Sequence, residues 1–71
     1  MAQFTSFGKD VAKRLIDMDH DQLWLIDRVK KKTGLYFDSS YLHKIRTGQL
    51  ATPKIVTAIR EILDLPEEDS A

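Results

Sequence analysis

The segment 38–48, with the sequence DSSYLHKIRTG, holds the side chains whose types and spacing most clearly predict a chemical role. Aspartate is a good helix N-cap and glycine a common C-terminal stop, so Asp38 and Gly48 predict a short helix between them. Leu42 and Ile45 are three residues apart and share a buried stripe on such a helix. The positions left outside all carry hydrogen-bonding groups, and none is acidic: Ser39, Ser40, Tyr41, His43, Lys44 and Arg46. A donor-rich, cation-bearing face suits a DNA groove better than a metal ion or a small substrate.

The length and the residue types exclude several classes of protein. A chain of 71 residues forms one small domain. It contains no cysteine, so disulfides and thiolate metal sites are excluded, and we expect no metal and no cofactor. No apolar run approaches the roughly 20 residues of a membrane helix. The N-terminus lacks the features of a signal peptide, so we expect a cytoplasmic protein with no membrane partner.

The charges are unevenly distributed, although the net charge is zero. Residues 28–60 carry eight lysines and arginines against one aspartate, a net charge of +7. Residues 1–27 carry −2 and residues 61–71 carry −5. A contiguous basic half is typical of a phosphate-binding face, and the alternative is a solvated surface that happens to be rich in lysine.

Apolar residues at helical spacing predict two helices before the segment 38–48. The first runs from about residue 7 to residue 18, with Ser6 as its N-cap and with Phe4 and Phe7 in the core. The second begins at the N-cap Asp21, runs to about residue 33 and is terminated by Gly34.

A fourth helix follows the segment 38–48. It begins with Thr52 as N-cap and Pro53 at the first helical position, and Pro66 stops it. Residues 66–71 are expected to form a flexible acidic tail. No stretch alternates like a strand for long, and the short loops predict a compact all-α bundle of four or five short helices.

Three pieces of the chain carry a resemblance to a known family: 21–26 (DQLWLI), 40–48 (SYLHKIRTG) and 52–65, which begins TPKIV. With these pieces the chain resembles the helix-turn-helix domains of the lambda-repressor-like or Cro-like group, also called XRE-type regulators. The resemblance implies a helix-turn-helix DNA-binding domain over residues 1–65. The chain departs from the family in its turn, because the segment between Val29 and Phe37 is longer, and we expect the second helix to gain a turn.

The resemblance implies a function and a set of site residues. A transcriptional regulator of phage or mobile-element type, a repressor or an activator, would bind double-stranded DNA as a dimer and read the major groove with the helix at about 39–47. The implied base contacts are Ser39, Ser40, His43 and Lys44. The implied backbone contacts are Gln22, Lys30, Lys31, Lys32, Tyr41, Arg46, Thr47, Gln49 and Lys54.

The sequence also bears on two other classes of function. Catalysis is not expected, because no nucleophile–base–orienter set and no glycine-rich phosphate loop is visible. The alternative is a protein-interaction adaptor or antirepressor on the same scaffold. Leu23 and Trp24 are predicted to lie on the outer side of the second helix, where they would contact a protein partner or a second copy, unless neighbouring elements cover them. The lysines at 30–32 could equally form a solvated helix end.

Overall fold

Four helices make up the part of the chain that the structure, a computed structural model, describes, which is residues 3–65. Their bounds are α1 Ser6–Asp17, α2 Gln22–Thr33, α3 Ser39–Thr47 and α4 Pro53–Leu63. No strand occurs in this range, so the all-α prediction is confirmed. The predicted tail, 66–71, lies outside the described residues. None of the helices within residues 3–65 is long and apolar enough to cross a membrane.

The ends of α2 and α3 are set by local hydrogen bonds that the sequence predicts. The side chain of Asp21 accepts from the Trp24 N–H at 3.0 Å, and that of Asp38 accepts from the Tyr41 N–H at 2.8 Å. Gly34 (φ 70°) and Gly48 (φ 85°) end the two helices in the left-handed conformation, which glycine adopts without a steric penalty.

The ends of α1 and α4 differ from the prediction. The N-cap of α1 is Thr5 rather than Ser6, because the Thr5 hydroxyl accepts from the Gly8 N–H at 3.0 Å. Thr52 does precede α4, with Pro53 in the first turn, but its side chain makes no capping bond. Helix α4 ends at Leu63, before Pro66, because Asp64 adopts a left-handed conformation with φ 55°.

The core lies where α2 packs against α4 and α1 packs against α3. It is formed by one apolar stripe from each helix together with Phe37 from the loop between α2 and α3. Phe7 packs against this core. Phe4 does not belong to it: its side chain is 39% exposed, so the prediction of a core position is wrong.

Helix α1 crosses α3 with the two backbones in direct contact at Gly8. A Cβ atom built on Gly8 would lie 2.1 Å from the carbonyl oxygen of Arg46. The same carbonyl accepts the Thr5 N–H at 3.0 Å and the Thr5 hydroxyl at 3.1 Å. Only glycine allows an approach this close, so Gly8 determines the distance between α1 and α3.

We expect Gly8→Ala to destabilise the protein by about 1–3 kcal/mol, the usual cost of overpacking. Alanine gains roughly 1 kcal/mol of helix propensity over glycine, but the new methyl group would meet a backbone carbonyl that cannot move aside. The free energy of unfolding in urea measures the loss. Lys9→Ala, at an exposed position of the same helix, is the control and should change it by less than about 0.5 kcal/mol. A wild-type midpoint for Gly8→Ala would contradict this crossing geometry.

Candidate nucleic-acid interface

The four residues predicted to contact bases lie together on the outer face of α3. Ser39, Ser40, His43 and Lys44 are all exposed. Leu42 and Ile45 are buried on the other side of the helix, so they fix its rotation about its own axis. No residue of α3 itself is acidic, and its outer face presents hydroxyl, imidazole and ammonium groups to solvent.

The N-terminus of α3 is held by a second contact beyond the cap. Tyr36, in the loop before the helix, donates its hydroxyl hydrogen to Asp38 Oδ2, while Asp38 Oδ1 accepts from the backbone of Tyr41. The bond from Tyr36 is the largest cause that lowers the pKa of Asp38, followed by the backbone bond from Tyr41. The same hydrogen bond to the carboxylate raises the pKa of Tyr36. The carboxylate that caps α3 therefore stays ionised at pH values below the ordinary pKa of an aspartate.

Tyr41 joins α3 to the start of α4. Its ring packs beside the Phe37 ring, with 5.1 Å between ring centroids. Its hydroxyl lies 2.6 Å from the hydroxyl of Thr52, with which it forms a hydrogen bond. The predicted phosphate contact of Tyr41 would therefore have to share a hydroxyl that is already bonded within the protein.

Arg46 does not lie on the outer face, and the prediction of an outward position is wrong. Its residue surface is only 8% exposed. The Nε–H donates to the carbonyl of Gly8 at 3.1 Å, and the guanidinium carbon lies 3.9 Å from the centroid of the Phe4 ring. Burial lowers the pKa of Arg46. A guanidinium held in this way supports the α1–α3 crossing, and it is not an exposed group for the phosphate backbone.

Phe4, which was expected in the core, lies beside the outer face of α3. Its ring contacts the His43 ring edge-on, with 5.9 Å between centroids and 75° between planes. The segment 3–5 therefore lies beside His43, one of the four predicted base contacts. No helical spacing connects residue 4 to residue 43, so this proximity is visible only in the folded chain.

Two of the three consecutive lysines at the end of α2 form ion pairs. Lys31 pairs with Asp27 at 3.1 Å, and Lys32 pairs with Glu61 of α4 at 3.1 Å. Lys30 is exposed and makes no ion pair with the residues described. Exposed ion pairs contribute little free energy, so a phosphate could replace either carboxylate at a small cost.

The remaining predicted backbone contacts flank α3 on several elements. Gln22 is exposed at the first position of α2, and Lys54 is exposed in the first turn of α4. Gln49 is exposed and donates to the hydroxyl of Thr47 at 3.2 Å, while Thr47 donates to the Lys44 carbonyl at 3.3 Å. The Gln22 amide and the Lys54 ammonium group are therefore accessible, whereas the side chains of Thr47 and Gln49 already form local hydrogen bonds.

The two residues of the predicted partner surface on α2 differ in exposure. Leu23 is 72% exposed, as predicted. Trp24 is half-buried and packs against the core, so the prediction that it lies on the outer side is only partly right. Its ring stacks on His20 with 3.8 Å between centroids and 3° between planes, and the Arg28 guanidinium lies 5.6 Å from its centroid.

Comparison with known proteins adds no relative to this description. The sequence matches no family model, and neither a curated protein nor a solved structure matches the chain. The lambda-repressor-like arrangement therefore stays a prediction from the motifs.

We expect Tyr36→Phe to raise the pKa of Asp38 toward its ordinary value of 3.8, because the substitution deletes the strongest stabilising contact of the carboxylate. The folded-state pKa is lowered, so Asp38 contributes stability above the unfolded-state pKa and loses it as the pH falls through the folded-state pKa. The variant should therefore lose less stability than the wild type between about pH 4 and pH 2.

NMR titration of the Asp38 carboxyl carbon measures this change, and thermal unfolding against pH measures its consequence. Tyr41→Phe is the matched control, because the Tyr41 hydroxyl bonds to Thr52 and not to Asp38. An unchanged Asp38 pKa in Tyr36→Phe would show that the tyrosine does not bond to the cap in solution.

Proposed function

We propose that this protein is a sequence-specific double-stranded DNA-binding regulator of the phage repressor type, which reads the major groove with α3. The observation that carries the proposal is the outer face of α3. There Ser39, Ser40, His43 and Lys44 are exposed side by side, on a helix whose other side is anchored by Leu42 and Ile45. Helix-turn-helix proteins place the N-terminal residues of such a helix against base edges.

The chemistry of these four side chains suits base edges. Lys44 can donate to the O6 and N7 acceptors of guanine. The hydroxyls of Ser39 and Ser40 donate or accept, so they bond to several bases and discriminate weakly. His43 offers a ring N–H donor and, when neutral, an acceptor. Together they supply a donor-rich surface to a groove that is rich in acceptors.

Contacts to the phosphates would come from the groups around α3. Gln22 and Lys30 are exposed on α2 and Lys54 is exposed on α4, and residues 28–60 carry a net charge of +7. Such cations attract DNA of any sequence by releasing its counterions. Arg46 is left out of this set because it is buried.

The test compares the wild type, a Ser40→Ala/Lys44→Ala double variant and the control Lys13→Ala on two duplexes. One duplex is enriched by the wild type from a random pool, and the other has the same composition in scrambled order. A base contact is worth about 1–3 kcal/mol, so the double variant should lose about tenfold or more on the enriched duplex. On the scrambled duplex it should lose less, and Lys13→Ala, at an exposed lysine of α1, should match the wild type.

The salt dependence of the affinity is a second test of the proposal. Affinity for both duplexes should fall linearly on a log–log plot against salt concentration. The Ser40→Ala/Lys44→Ala double variant should keep the slope of the wild type if Lys44 contacts a base rather than a phosphate. No retention of the wild type on either duplex at low salt would contradict the proposal.

A second candidate is a protein-interaction adaptor, and one observation favours it. Leu23 is 72% and Ile16 is 75% exposed, so α1 and α2 each leave a large apolar side chain accessible to a partner. Sedimentation at several concentrations, compared between the wild type and Leu23→Ser, examines this role. Self-association that Leu23→Ser abolishes, in a protein that DNA does not retain, would favour the adaptor.

A further inference from the structure

The segment before α1, residues 3–5, is held against α3 by several contacts. The backbone N–H and the hydroxyl of Thr5 both donate to the Arg46 carbonyl. On the far side, a Cβ atom built on Gly48 would lie 3.0 Å from Thr5 Cγ2, so the threonine methyl packs closely against the end of α3. Phe4, the preceding residue, therefore has a defined position relative to the outer face of α3.

Two side chains of α3 hold the Phe4 ring. The Arg46 guanidinium lies over it at 3.9 Å from the centroid, a distance at which a cation and an aromatic ring attract each other. The His43 ring meets it edge-on at 5.9 Å. Arg46 and Phe4 thus stabilise one another, and Phe4 lies next to one of the four side chains that we assign to base contacts.

Phe4 is nevertheless still open to solvent. With 39% of its surface exposed, it presents an uncharged apolar surface beside a row of hydroxyl, imidazole and ammonium groups. If its role were only to cover Arg46, the exposed part of the ring would have no partner. In the major groove one base-edge group is apolar, the C5-methyl group of thymine, and phenylalanine is among the side chains that contact it.

We propose that Phe4 determines specificity at the DNA interface by contacting the C5-methyl group of a thymine next to the base that His43 contacts. This inference rests on the proposed function, since it places a further residue in the same interface. It assigns the segment before α1 to the reading surface, and it predicts a preference for thymine at one position of the bound site.

The test uses the duplex enriched by the wild type and replaces its thymines by uracil one at a time, which deletes only the methyl group. Burial of one such carbon is worth about 0.8 kcal/mol, so the wild type should lose about fourfold at one thymine and little at the others. Phe4→Ala should bind the thymine and uracil duplexes equally well. Its salt dependence should match that of the wild type, because phenylalanine carries no charge.

Leu50→Ala is the matched control, because Leu50 is an apolar residue of similar exposure, 40%, and is not part of the contacts that join the Phe4 ring to His43 and Arg46. It should keep the fourfold preference of the wild type. Far-UV circular dichroism and thermal unfolding verify that each variant folds. The uracil series with the wild type needs no variant, so it tests the proposal even if Phe4→Ala does not fold.

The outcomes distinguish the two proposals. If the wild type enriches no duplex and binds none at low salt, the DNA-binding function fails and the role of Phe4 fails with it. If the wild type binds its duplex but no uracil substitution weakens binding, only the Phe4 inference is overturned. The inference would also be overturned if Phe4→Ala lost affinity by the same factor on the thymine and uracil duplexes. The preference for thymine would then remain in the variant, and Phe4 would only support Arg46.

Discussion

The crossing of α1 and α3 is the contact on which the rest of the structure depends. Gly8 brings the two backbones together, with the position of its missing Cβ only 2.1 Å from the Arg46 carbonyl oxygen. That carbonyl accepts two hydrogen bonds from Thr5, and the Arg46 side chain returns one to the Gly8 carbonyl. Because these polar groups are satisfied across the contact, α3 is held to α1 by backbone geometry as well as by apolar packing.

The outer face of α3 takes its orientation from this contact and from the two ends of the helix. Asp38 caps the N-terminus and is itself bonded by Tyr36, while Gly48 ends the helix in a left-handed conformation. Tyr41 ties the first turn to the start of α4 through Thr52. Four polar side chains are thereby presented on a rigid support, and this is what the proposed contact with base edges requires.

Local features of the chain were predictable because each depends on residues a few positions apart. Caps at Asp21 and Asp38 and left-handed glycines at 34 and 48 follow from local hydrogen bonding and backbone sterics. The buried position of Arg46, the exposed position of Phe4 and the close approach at Gly8 were not predicted. These environments arise where residues about 40 positions apart in the sequence meet. One signal was present: Arg46 follows Leu42 by four residues, a spacing that places both side chains on the same side of a helix.

The measurement that tests the account most directly is NMR mapping of the isotope-labelled protein as a duplex enriched from a random pool is added. We expect the largest amide shifts and line broadening at residues 39–44 and in the segment 3–5, with smaller changes at the starts of α2 and α4. Changes concentrated around Leu23 and Ile16, with α3 unaffected, would contradict it.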